Sequence, residues 1–181
     1  MSWEVVFIRR ISKLVVVIPA LLWLLLIVVL SRQPYADQSI QSFLHDVAPK
    51  EVMTSAVPDV TVHYNGATIV AKKEPYRFVE FLFRKSAHLG VYAVLACVTA
   101  FALRKIPGLR GKEWVAWCGG IASTMFVGML DETLQSEAAL RTPAVQDVLV
   151  DMTGGTIGVL AAYAGWRWRT REGRLDNRKR E

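Results

Sequence analysis

Cysteine is scarce in this chain: Cys97 and Cys118 are its two copies, and both fall inside apolar stretches. That excludes a disulfide framework and a cysteine metal centre, and each cysteine reads as a small apolar residue. Histidine occurs three times, and no spacing among the candidate ligands matches a standard metal motif, so neither a metal nor another cofactor is expected. Charge is missing from long stretches. Leu14 to Leu30 is a run of 17 residues without one, and Ala87 to Leu103, Trp114 to Leu130 and Val148 to Trp166 come close, the last broken only by Asp151. A small-x-small cleavage site is also missing after the first run, where the chain reads Val28-Val29-Leu30-Ser31-Arg32. An uncleaved anchor is therefore expected rather than a secretory signal, although Arg9, Arg10 and Lys13 precede the run.

The hydrophobic fraction of 52% is only slightly high for a soluble domain, so the distribution of apolar residues carries the information. A hydrocarbon core of ~30 Å needs roughly 20 helical residues, with about 17 acceptable. All four runs qualify with their flanks, at about 14–30, 84–103, 114–130 and 148–166. One membrane domain is expected over 1–181, an all-α bundle of four transmembrane helices with an extracytoplasmic insertion at about 31–75. Residues 1–13, the 104–113 loop and the tail after Trp166 hold 14 of the 22 lysines and arginines and 5 of the 16 acidic residues. Short basic loops stay in the cytoplasm, so both termini are placed there and the protein is expected in the cytoplasmic membrane as a multi-pass protein. Basic residues beside the spans account for the net charge of +6, and no nucleic-acid partner is expected. The tail is also suited to anionic headgroups.

Within the insertion, Ile40, Phe43, Leu44 and Val47 have the spacing of a short amphipathic helix ending before Pro49. Further on, Val60-Thr61-Val62-His63-Tyr64, Asn65-Gly66 and Ala67-Thr68-Ile69-Val70 read as a β-hairpin with a two-residue type I′ turn. That register pairs Tyr64 with Ala67 and Val62 with Ile69, and puts His63 on the other face, opposite Thr68. An isolated ribbon is marginal in water, so it is expected to lie on the helix ends. Pro75 can open the next helix. Tyr76, Phe78, Phe81 and Phe83 follow it and read as packing or membrane-anchoring aromatics.

At 100° per residue, Arg84, His88 and Tyr92 share one face of the second span, with Lys85 at its edge. On the third, Gly120, Thr124 and Gly128 form a small-residue stripe that Asp131 and Gln135 continue outward, with Glu132 at its margin. On the fourth, Asp147 and Asp151 share a face with Gly154, Gly155, Gly158 and Ala162. Small stripes are where membrane helices approach closely, so each polar set is aimed into the bundle. Alternating span directions put all three sets at the same, outer side, with Arg141 in the loop between Asp131 and Asp147. Gly154-xxx-Gly158 can pack against a span of this chain or of a second copy.

Charges within spans cost roughly 2.5–3.5 kcal/mol each on insertion scales and mark sites or pairs. One reading is an ion-pair clasp, with Arg84 and Lys85 on Asp131 and Glu132, and Arg141 on Asp147. The other is a site in which His88, Asp131, Glu132 and Asp151 do acid–base work. Arg84, Lys85, Tyr92, Gln135, Arg141 and Asp147 would then bind the substrate, the cations taking a phosphate or carboxylate. A transport path is disfavoured, because the cytoplasmic halves of the spans carry only mild groups such as Thr99 and Ser123.

Laid out this way, Arg84-Lys85-Ser86-Ala87-His88 with Tyr92, Asp131-Glu132-Thr133-Leu134-Gln135, and Arg141 followed by Asp147, Asp151, Gly155 and Gly158 resemble the VanZ-like family of bacterial membrane proteins. Ser31 and Gln33 fit its pattern loosely. Many members have asparagine at the place of Asp151. The family takes its name from a protein of a glycopeptide-resistance cluster that lowers teicoplanin sensitivity, so the resemblance implies a cell-envelope role. It implies no settled mechanism. Membrane lipids and a lipid-linked cell-wall precursor or glycopeptide are the candidate partners. A non-catalytic envelope binding or scaffold protein is the alternative.

Overall fold

The long uncharged runs become helices, and proline, glycine and charge mark where they break. A computed structural model describes residues 3–109, 111–139 and 144–180. In chain order the elements are α1 (Trp3–Arg32), α2 (Tyr35–Gln38), α3 (Gln41–Val47), α4 (Lys50–Ala56), β1 (Thr61–Tyr64), β2 (Ala67–Val70), α5 (Pro75–Arg104), a 3-10 turn (Pro107–Leu109), α6 (Glu113–Ala139) and α7 (Val145–Arg180). Two helical stretches, Pro75–Arg104 and Val145–Arg171, are long and apolar enough to cross a membrane, and α1 adds a shorter apolar stretch, Val17–Arg32. Glycines, Ser123, Thr124 and two tryptophans dilute α6, which is not among them.

The central helix is α5. It packs along α6 and α7, which also pack on each other, while α1 leans more lightly on α5 and α6. Small residues set the closest approaches. A Cβ on Gly158 would lie 2.5 Å from the Ala93 carbonyl oxygen, and one on Gly154 would strike the Leu89 backbone. The Gly154-xxx-Gly158 stripe therefore seats α7 on α5 of the same chain, and Gly120 brings α6 onto Ala96 of α5 in the same way. At the end of the bundle near Arg104, Trp117, Tyr163 and Trp166 cluster. The Arg104 guanidinium stands 4.4 Å from the Trp166 ring centre and pairs with Glu113.

The hairpin has the expected register, Val62 opposite Ile69 and Tyr64 opposite Ala67. Asn65 and Gly66 take φ of 47° and 75°, the left-handed pair that a type I′ turn requires. Its apolar face, with Ile69 buried, closes over Val57, Ala71 and Phe78, which ties the ribbon to the start of α5. His63 bonds Thr68 across the exposed face at 3.0 Å. The short helix before Pro49 is α3, but of its apolar stripe Leu44 is buried whereas Phe43 and Val47 are 65% and 61% exposed. Pro49 both ends that stretch and caps α4, a helix the apolar pattern does not announce. Tyr76 and Phe78 are packing residues, the Tyr76 hydroxyl donating to the Ala48 carbonyl at 2.7 Å, and Phe83 is 56% exposed.

Candidate functional site

Four helices bring polar side chains to the end of the bundle that the hairpin covers. They come from the end of α1 (Ser31), the middle of α5 (Arg84, Lys85, His88, Tyr92), the second half of α6 (Asp131, Glu132) and the start of α7 (Asp147, Asp151). The deeper layer is buried and internally hydrogen-bonded. Asp151 is 1% exposed, and its Oδ1 lies 2.9 Å from His88 Nδ1. Asp131, 5% exposed, accepts the Tyr92 hydroxyl at 2.9 Å and the Ser31 hydroxyl. The His88 and Tyr92 rings lie parallel, 6.2 Å apart. Gly128 makes room for this layer, since a Cβ there would come within 3.0 Å of Asp151 Oδ2. Buried carboxylates persist only when such donors replace their lost water.

The upper layer joins α5, α7 and the hairpin. Lys85 Nζ meets Asp147 Oδ1 at 2.6 Å, and the Tyr64 hydroxyl donates to the same oxygen. The Lys85 ammonium also stands 4.2 Å from the Tyr64 ring centre. At the hairpin tip the Asn65 N–H donates to Gln146 Oε1 at 2.8 Å. Burial, followed by the neighbouring Asp147 carboxylate, pushes the Tyr64 phenol well above its ordinary range, so it stays a donor. Glu132, 3% exposed, accepts the Ala144 N–H at 2.6 Å just ahead of α7 and thereby caps that helix.

These partners correct the expected clasp. Lys85 bonds Asp147 rather than Asp131 or Glu132, and the carboxylate facing His88 is that of Asp151. Arg84 is half-buried, one face of its surroundings apolar and the other polar. Arg141 and the Gln135 side chain lie outside the described residues. Sequence reasoning missed Tyr64, taken for a hairpin face residue, and Glu80, which is 1% exposed. Glu80 accepts Gln41 Nε2 at 2.5 Å and the Ile40 N–H at 3.3 Å, which fixes the start of α3 to α5. The signal for Glu80 was available: it stands four residues before Arg84, on the stripe that continues to His88 and Tyr92.

Chemically, a His88 Nδ1–H donated to Asp151 leaves Nε2 as the proton acceptor, the arrangement that orients a general base. His88, Asp131 and Asp151 also present one ligand atom each within 4.8 Å of one another, from three different helices. The trio has the ligand types for a divalent cation that sequence spacing did not reveal.

A mainly helical bundle with a small antiparallel ribbon over one polar end, and two of its helices apolar along a membrane's thickness, is the class of protein these observations define. The chain belongs to the VanZ-like family: the family model described as VanZ/LLP1 matches residues 16–166. No curated protein and no solved structure matched.

Proposed function

We propose that this VanZ-like protein is a four-span envelope protein of the bacterial cytoplasmic membrane, with both termini inside, whose polar end acts at the outer leaflet on a lipid or lipid-linked compound. His88 is the proton carrier, oriented by Asp151, with Asp131 fixed beside it by Ser31 and Tyr92. Arg84 and Lys85 face the substrate's anionic group. The observation that carries this reading is the pairing of half-buried His88 with the buried Asp151 carboxylate beside Asp131, three helices converging where cavities open.

Several features support the membrane setting. On α1, Leu21, Leu22 and Leu25 are 59%, 60% and 58% exposed, and on α6 Phe126 is 65% exposed. Apolar faces this extensive need lipid or a partner to cover them. Phe43, Val47 and Val52, exposed on α3 and α4, suit helices lying in the headgroup layer. The uneven distribution of lysine and arginine supports the orientation.

The test is expression in a teicoplanin-sensitive bacterium. The wild-type protein is expected to lower susceptibility, and His88→Ala and Asp131→Asn, inserted at equal levels, are expected to lose that protection. Full protection by both variants would overturn the acid–base role. The Lys85–Asp147 pair, tied in turn to the hairpin, favours a second reading in which the cluster is a clasp within a non-catalytic binding protein. Arg84→Lys separates the two, because a clasp tolerates a retained charge whereas a bidentate anion site does not.

A further inference from the structure

The larger cavity at the polar end, of about 290 Å³, lies between α1 and α5 with apolar walls of Ile27, Leu30, Phe83, Ala87 and Val91. Most of its polar lining is already engaged. The Ser31 and Tyr92 hydroxyls both donate to Asp131, and Arg84 interacts within the protein as well. Under the hairpin, Lys85 is held by Asp147 and Arg77 by Glu74. Two lining atoms have no partner among the described residues. One is His88 Nε2, the ring's other nitrogen facing Asp151. The other is Gln38 Oε1, the amide nitrogen of Gln38 donating to the Leu30 carbonyl. With the His88 Nδ1 proton given to the Asp151 carboxylate, both of these atoms are hydrogen-bond acceptors.

We propose that the ligand of this site is a single-chain membrane lipid that presents a free, uncharged hydroxyl, donated to His88 Nε2. The inference rests on the outer-leaflet reading above and names the group of the lipid that meets the proton carrier. A cavity whose uncommitted polar atoms only accept is completed by a ligand that donates, since an acceptor buried without a donor costs stability. A hydroxyl supplies the donor without bringing a charge into the span, where charge is expensive. It also stands where a general base takes up a hydroxyl proton. The volume is at the low end of the ~300–1,000 Å³ typical of ligand pockets, which fits one chain. Phe83, Ala87 and Val91 recur every fourth residue of α5, so the chain lies along that helix. From His88 it runs past Ala87 and Val91 toward Ile27, which packs with Tyr92 and Leu95 deeper in the bundle. That is the direction an outer-leaflet lipid takes, head at the surface and tail toward the middle of the bilayer.

The test uses the full chain in phosphatidylcholine nanodiscs, with dodecanol as the probe and 1-methoxydodecane as the same chain without a donor. Empty discs provide the partition baseline. Binding is read from the ¹³C resonance of the carbon beside the oxygen, and contact from the His88 Nε2 ¹⁵N resonance, assigned by its loss in His88→Phe. Saturable dodecanol binding above the baseline is expected, about tenfold or 1.4 kcal/mol tighter than that of the ether, with Nε2 shifting for the alcohol alone. Ala87→Trp, which fills the chamber, is expected to weaken dodecanol binding about tenfold, and Gln38→Leu, which removes the second acceptor, about threefold. Circular dichroism and elution volume confirm that each variant is folded. Phe101→Trp, far along α5, is the substitution control and is expected to bind as the wild type does. Equal binding of alcohol and ether, unchanged binding in Ala87→Trp, or an Nε2 that carries its own proton before ligand is added would overturn the inference. Tighter binding of dodecylamine or dodecyl phosphate than of dodecanol would overturn it in favour of a charged head. Loss of protection by His88→Ala in the susceptibility test, beside any of these results, leaves the outer-face reading standing and removes the ligand class alone.

Discussion

Replacing Gly158 by alanine is the sharpest probe of how the site is assembled. A methyl group there would lie 2.5 Å from the Ala93 carbonyl oxygen and 2.8 Å from its Cα, both backbone atoms that no side-chain rotation can move. Ordinary contact begins at 3.4 Å, so α5 and α7 must part by about 0.9 Å at that point. Overpacking of this kind costs about 1–3 kcal/mol. Against it, alanine is a better helix former than glycine by about 1 kcal/mol. Gly90→Ala supplies the control, because a Cβ at Gly90 meets nothing within 4 Å. Gly90→Ala should therefore leave stability unchanged or raise it, and Gly158→Ala should fall below it by about 1–3 kcal/mol. Unfolding in mixed detergent micelles, followed by circular dichroism, measures both. Asp151 stands two helical turns before Gly158, and its 2.9 Å bond to His88 should lengthen as α7 tilts, which histidine nitrogen chemical shifts would register. Equal stabilities for the two variants would refute the close seating of α7 on α5.

Two further outcomes follow from the site. Lys85→Met leaves the 6% exposed Asp147 without its ammonium partner and should cost about 1–3 kcal/mol; adding Asp147→Asn should recover much of that, and a double-mutant cycle with zero coupling would dismiss the pair. Chelation with EDTA should leave the melting temperature unchanged, because Tyr92, Ser31 and His88 already hydrogen-bond the two deep carboxylates; a drop reversed by Mn²⁺ would mark the His88, Asp131 and Asp151 trio as a metal centre.

The helices and the direction of their polar faces were readable because both follow from local spacing. Arg84, His88 and Tyr92 repeat every fourth residue, and Asp147 and Asp151 do the same, so a sequence alone says they share faces. The hairpin was readable for a similar reason, since Asn65-Gly66 permits few turns. Partner choice was less accessible. Pairing Lys85 with Asp147 rather than Asp131 depends on the rotation and depth of two helices that no short-range pattern fixes. Tyr64 is the clearest omission: its role needs the hairpin tip to land on the start of α7, a contact between residues 83 positions apart. His88, Asp131 and Asp151 were grouped from their helix faces, but no standard metal spacing marked them as ligands, because they come from three different helices.

The light seating of α1 has a mechanical consequence. It is held through the Trp23 indole on the Val91 carbonyl, Ser31 on Asp131, and the apolar patch around Ile27, while α5, α6 and α7 interlock through glycine contacts. The first helix is therefore the wall with the least interlocked seat, and the seam it shares with α5 is the one whose parting would leave the glycine contacts among α5, α6 and α7 untouched. Because Ser31 belongs to both the wall and the Asp131 hydrogen-bond set, any shift of α1 away from α5 would also take a donor from that carboxylate.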